Sequence, residues 1–260
     1  MSNYESMKRE RDGNIAIVSF NRPDTLNAIE ASIRKEINEV VNEVNSDESI
    51  RVAILTGEGR AFCAGADLTE KQSADADVEV LLNEEYKPAL MAITEAPIPW
   101  ISAVNGAAAG VGSAFAMNCD LTVMAEDAYL YQAFAAISLI PDGGATWHLT
   151  RTLGKKKAYE LIALGEKLKA EKCLELGLCN RVVPTEQLLD EARALATELV
   201  GRAPLSLRYA KETVNAAMSE SVGETISHEA RLQKICSTSE DAREGALAFL
   251  EKRAPVFKGC

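Results

Sequence analysis

Two hydrophobic rhythms alternate along the first half of the chain. Residues 14–20 (NIAIVSF) form a β-branched apolar run that reads as a strand. The turn NRPDTLNAI follows, punctuated by Pro23 and Asp24. Ile33, Ile37, Val40, Val41 and Val44 then recur at helical spacing and predict an amphipathic helix over residues 30–44. Residues 52–56 read as a buried strand and 57–68 (GEGRAFCAGADL) as a small-residue loop. Residues 69–80 are polar and acidic and read as a mobile connection. Helix returns over 81–94, Pro97 and Pro99 stop it, and 100–104 is another strand. Strand, small-residue loop and helix thus recur through the first 150 residues with no letter-for-letter period. That order predicts α/β layering, and periodicity alone also permits a doubly wound sheet.

From Lys155 onward the pattern is mostly helical, with a short strand at 180–183 as the exception. Gly201 and Pro204 interrupt it, which places a boundary near residue 200 between a core (1–200) and a C-terminal helical region (201–260). The last helices are too few to bury their apolar faces alone and should pack on the core or on another subunit.

One stretch stands apart. Residues 104–150 begin with a run of Gly, Ala and Ser, residue types that let a backbone approach something closely. Residues 108–116 predict a helix, and a helix start offers unpaired N–H groups to an anion. Further on, the single carboxylate Asp142 stands between Pro141 and Gly143–Gly144.

Composition narrows the partners. The net charge of -11 over 260 residues argues against nucleic acid, since phosphate binding needs a basic face. No apolar run reaches membrane length, and the opening MSNYESMKRERDGN lacks the apolar core of a signal peptide. Six scattered cysteines without a CxxC pair suggest neither a zinc site nor a disulfide framework, and the two histidines, His148 and His228, lie far apart. The expectation is a reduced, cytoplasmic protein with no metal, no membrane partner and no nucleic acid.

Five stretches taken together resemble the crotonase superfamily, that is, the enoyl-CoA hydratase/isomerase family. They are NRPDTLNAI, RAFCAGADL, the NGAAAG block with MNCDL, IPDGGAT and EGALAFLEKRAPVFKG. A lone AGADL is weak, but the five occur in the family's order and spacing over nearly the whole chain. The resemblance implies an α/β fold built as a crotonase-like spiral of repeated ββα units, with a C-terminal helical oligomerisation region. It implies homotrimers, often paired into hexamers, and an acyl-CoA ligand whose coenzyme A is part of the substrate, with no separate cofactor.

By motif position, the resemblance implies that the backbone N–H groups of Ala66 and Val111 hold the thioester oxygen. Removing a proton beside a thioester leaves an enolate with its charge on oxygen, and one fixed donor there is worth about 3 kcal/mol. Ala64, Gly65, Asp67, Leu68 and Gly110 flank those donors. Arg22 and Leu26 match positions that touch CoA, and Lys252 and Lys258 are candidates for its phosphates, in the same or a neighbouring subunit. Taken singly, each lysine fits a solvated helix face better.

The hydratases of this family use two glutamates, and here their positions hold Ala114 and Phe134. Asp142 occupies the position where some family isomerases carry their acting acid, and IPDGG is especially similar to Δ3,Δ2-enoyl-CoA and phenylacetate-pathway isomerases. The implied chemistry is a double-bond shift from 3-enoyl to 2-enoyl thioester. Hydration, another crotonase reaction, or acyl-CoA binding without chemistry are the alternatives. An apolar pocket raises a carboxyl pKa, and Phe115, Phe134, Ile137 and Trp147 are the expected walls. Without the resemblance, Asp142 reads first as a helix N-cap. Asp67 and Asp120 read as groups bonded to local backbone, and His148 as a residue packed on its helix.

Overall fold

The computed structural model describes residues 4–70 and 77–260. Strand β1 (Met7–Asp12) pairs antiparallel with β2 (Ile15–Phe20) and forms one edge of a six-stranded sheet. The apolar run marked β2, while β1 went unread because only Met7 of its six residues is buried. The next strands, β3 (Val52–Gly57), β5 (Trp100–Val104), β7 (Leu121–Ala125) and β10 (Arg181–Val183), extend the sheet in parallel from β2. A second sheet orders β4 (Ala61–Cys63), β6 (Ala107–Ala109), β8 (Tyr129–Tyr131) and β9 (Lys167–Lys169).

The repeat lies in how these strands are dealt out. The pairs β3/β4, β5/β6 and β7/β8 each put their first strand in the large sheet and their second in the small one. Helix α4 (Val111–Asn118) follows β6, and α5 (Ala145–Leu164) follows β8. Each ββα unit is therefore one turn of a spiral, which is the architecture expected. Parallel strands with apolar residues on both faces need cover on both sides, and β3 and β5 are buried throughout. Between the layers, the Phe20 ring meets Phe62 and Phe115 edge-on, each at 5.6 Å between centroids.

Helix α1 (Ala31–Ser46) buries Ile33, Ile37, Val40, Val41 and Val44 as its spacing predicts. Two local expectations are corrected. The helix expected over 108–116 begins only at Val111, because residues 107–109 pair with β4 and β8 and the sheet overrides alanine's helical preference. Of the connection over 69–80, residues 71–76 lie outside the described residues. Asp77 caps α2 (Val78–Leu81), its carboxylate accepting from the Glu79 and Val80 N–H groups. From there the chain continues through a wide turn (Leu82–Tyr86) into α3 (Lys87–Thr94).

After α6 (Ala170–Glu175) and α7 (Leu188–Val200) come α8 (Pro204–Ala217), α9 (Val222–Ser237) and α10 (Glu240–Glu251). Lys211 ties α8 to the core. Its Nζ donates to the Ile93 carbonyl at 2.7 Å and lies 2.8 Å from Asp120. Asn215 adds a bond to the Thr94 carbonyl. Among the described residues, no helix is long and apolar enough to cross a membrane.

Candidate active site

The turn NRPDTLNAI and the segment AGADL lie side by side. The Ile29 N–H donates to the Gly65 carbonyl, the Asp67 N–H to the Ile29 carbonyl, and the Ala64 N–H to the Leu26 carbonyl. Arg22 locks the pair. Its guanidinium donates to the Ala28 carbonyl (2.7 Å) and to Asp67 (3.2 Å), and it lies 3.1 Å from Glu30. The Asp67 carboxylate also accepts from the Thr69 hydroxyl and N–H, and these bonds, then Arg22, hold its pKa below the usual value. Asp67 is thus bound to local backbone, as expected, and Leu68 projects into solvent.

Gly65 has φ +95°, and a Cβ there would lie 2.8 Å from the Ala109 carbonyl oxygen and 3.6 Å from the Gly110 Cα. Only glycine allows that backbone crossing. Gly110, at φ +53°, precedes the first residue of α4. The crossing sets the N–H of Ala66 and that of Val111 just beyond it on either chain. Among the described residues, neither N–H donates a hydrogen bond. Ala66 is exposed and Val111 buried.

Asp142 comes from the next turn of the spiral. Gly143 seats it: a Cβ on that residue would lie 2.6 Å from the Ala114 Cβ and 3.3 Å from a Val111 methyl. The carboxyl faces a cavity of about 1390 Å³ lined by Leu82, Tyr86, Leu90, Leu139, Ile140, Trp147 and His148, with Lys211 of α8 and Met218, just past its end, beyond them. Its Oδ1 is buried with no hydrogen-bond partner. Burial pushes the acid up to about 6, against a weaker opposing bond from its own backbone. The N-cap reading fails. Gly144 caps α5 without a side-chain bond, and Asp142 contributes only its carbonyl, to the Ala145 N–H.

The expected walls are mostly wrong. Trp147 does line the cavity. Phe115 is fully buried against Phe20, Phe134 packs toward Gly110, and Ile137 is largely exposed. Leu82, Tyr86 and Leu90 take their place, and they lie some fifty residues upstream, beyond what local sequence reveals. His148 faces the cavity instead of merely packing on α5. Burial, and then Arg151, lower its pKa to about 4. Ala66, Val111 and Gly110 do not line this cavity. Val111 connects the two regions, with its amide at the Gly65 crossing and its side chain against Gly143.

Ala114 is buried with no exposure and Phe134 nearly so, and neither side chain brings a carboxylate to the site. Three other acids line the cavity. Glu79 and Glu95 are exposed, and Asp120 is occupied by Lys211 and the Trp100 N–H. Among the described residues, no cluster of three or more metal-binding side chains forms. Lys252, in a left-handed conformation at the end of α10, and Lys258 form no ion pair among the described residues.

One feature the sequence did not reveal is Arg34. It is almost buried and lies 2.7 Å from Glu70 and 2.6 Å from Glu85, with its guanidinium over the Tyr86 ring. Glu70 also accepts from the Ala31 N–H. Its position among buried apolar residues of α1 was the only signal.

A spiral of ββα turns, with alternate strands in two sheets and paired free amides where successive turns cross, is the architecture of the crotonase superfamily. A sequence model described as enoyl-CoA hydratase/isomerase matches residues 10–260, and the chain belongs to that family. It is 37% identical to a probable enoyl-CoA hydratase of Rhodobacter capsulatus, over 98% of this chain and 99% of that one. It is 35% identical to the 1,2-epoxyphenylacetyl-CoA isomerase of Escherichia coli, over 94% of this chain and 95% of that one. The crystal structure of an enoyl-CoA hydratase from Polaromonas sp. JS666 superposes with a TM-score of 0.91 at 32% identity, covering 97% of this chain and 99% of that one.

Proposed function

We propose that this enzyme is an enoyl-CoA isomerase, which moves a double bond from the 3,4 to the 2,3 position of an acyl-CoA. The observation that carries this reading is the Asp142 carboxyl, buried in a largely apolar cavity with an oxygen left unpartnered, while methyl and phenyl groups occupy both hydratase glutamate positions. In its ionised form Asp142 takes a proton from C2. The electron pair moves through the thioester, giving a dienolate whose oxygen accepts hydrogen bonds from the Ala66 and Val111 N–H groups. Asp142 then returns the proton to C4, and the new double bond lies between C2 and C3. One carboxylate serves both transfers, and no cofactor is needed beyond the CoA of the substrate.

In this reading the CoA runs along Leu26, Ala64, Gly65, Asp67, Leu68 and Gly110. Arg22 acts mainly by holding that edge together, and Lys252 meets a phosphate from a neighbouring subunit. A homotrimer, or a hexamer of two trimers, is supported by the apolar residues that α9 and α10 leave exposed, among them Ile226, Phe249 and Leu250.

The test is a spectrophotometric screen of purified protein against 3-enoyl-, 2-enoyl- and cyclic acyl-CoAs, with Asp142→Asn in parallel. The proposal expects 3-enoyl turnover that falls at least 100-fold in the variant. Isomerisation that survives the change refutes the mechanism. Faster hydration of 2-enoyl-CoA than isomerisation selects a hydratase, and tight binding of acyl-CoA with no turnover selects a binding protein.

A further inference from the structure

The polar groups around the Asp142 cavity are mostly committed to the protein. Asn118 accepts from the Thr94 hydroxyl and donates to the Ala114 and Gly143 carbonyls. Asn180 accepts from the Thr122 N–H, and Asn83 donates to the Glu79 carbonyl. Lys211 is consumed by Asp120 and by backbone carbonyls.

His148 differs. Among the described residues, neither of its ring nitrogens makes a hydrogen bond, although the ring lines the same cavity as Asp142. Its place is fixed by its backbone and by its neighbour Trp147. The backbone N–H bonds the Gly144 carbonyl. The Trp147 ring meets it edge-on at 4.8 Å between centroids. Arg151, one turn along, lies with its guanidinium 4.3 Å over that Trp147 ring and so stays off the imidazole. The ring is neutral at physiological pH. A neutral imidazole offers one N–H donor and one lone-pair acceptor. A purely hydrocarbon acyl chain satisfies neither and would cover both with apolar surface, a loss that binding does not recover.

We infer that His148 selects acyl-CoA substrates whose acyl group carries a hydrogen-bonding oxygen, as a hydroxyl, ketone or ring ether, over plain hydrocarbon chains. The inference rests on the proposal that this cavity receives the acyl group. Sites built to bond a substrate oxygen discriminate against its absence far more strongly than apolar sites discriminate by size.

The test pairs 3-enoyl-CoAs bearing a hydroxyl or keto group at successive carbons beyond C4 with hydrocarbon chains of equal length. It measures kcat/KM, and it measures Kd for the saturated, unreactive counterparts. The wild type is expected to prefer at least one oxygenated member by tenfold or more in both quantities. His148→Phe is expected to reduce that ratio at least tenfold, and His148→Gln, which keeps a donor and an acceptor, to recover part of it. A wild type without preference overturns the inference, as does a ratio unchanged in His148→Phe or, should that variant not fold, in His148→Leu. Asp142→Asn separates the two readings. Turnover that survives in it refutes the isomerase mechanism, while an oxygen preference in its Kd values upholds His148 independently. Loss of that preference in Asp142→Asn assigns the recognition to the carboxyl and overturns the role of His148.

Discussion

Asp142 and His148 line one cavity, and burial drives them in opposite directions on the pH scale, the carboxyl up to about 6 and the imidazole down to about 4. Both shifts favour the neutral form, as expected where a low-polarity wall replaces water. At neutral pH the imidazole is uncharged, while the carboxyl is ionised at a cost.

Activity should follow the carboxyl. The proposed base is the ionised form of Asp142, so kcat/KM for a 3-enoyl-CoA should rise through pH 6 and level off above it. A pH profile between 4.5 and 8 checks this. A rise centred near 4 would mean that the acting acid is an ordinary, solvated one.

Stability should run the other way. The folded pKa of Asp142 lies above the value near 3.9 of an unfolded chain. The cost of ionising it in place is therefore absent below pH 4, grows between 4 and 6, and is constant above, at most about 3 kcal/mol. Asp142→Asn removes a group that must ionise in place. Its melting temperature should exceed the wild type's at pH 7.5 and match it at pH 4, as read by calorimetry at the two pH values.

The Val111 amide can be deleted with little harm to the helix. Val111 is the first residue of α4, a position where proline is tolerated because its N–H has no helical partner. Val111→Pro should lower kcat by roughly 100- to 1000-fold, with circular dichroism close to the wild type. Retained kcat would exclude this amide from holding the enolate.

Lys211 should matter for the cavity wall rather than for chemistry. Its replacement by methionine removes the cation beside the Asp120 carboxylate, which keeps the Trp100 N–H, and one donor from each of the Ile93 and Ile98 carbonyls. Breaking one side of a mostly buried pair costs about 3 kcal/mol. Denaturant unfolding of Lys211→Met should show that loss, and its KM should rise more than its kcat falls. An unchanged midpoint would show that α8 is held by its apolar contacts alone.

The sequence disclosed most where pattern and burial coincide. The apolar spacing in α1 and the runs of β2, β3 and β5 matched their elements within a residue or two. Strands β4, β6, β8 and β9 went unread because each has three residues, too few for a period to show, while β10, equally short, stood out as a Val pair amid helical pattern. Asp142 was legible from its motif. Its surroundings were not, since Leu82, Tyr86 and Leu90 reach it from a distant helix and Arg34 pairs across 36 and 51 positions. Phe115 and Phe134 were misplaced because nearness in sequence says little about the direction of a side chain on a tightly wound helix or turn.

The coil of strands has an evolutionary corollary. Ala66, Val111 and Asp142 follow β4, β6 and β8, the small-sheet strands of three successive windings. In the proposed mechanism the charge is held by main-chain N–H groups, so the side chains around it can differ while those donors persist. Relatives named as a probable enoyl-CoA hydratase and as a 1,2-epoxyphenylacetyl-CoA isomerase, similar to this chain at 37% and 35% identity, fit the proposal of one set of backbone donors serving more than one reaction.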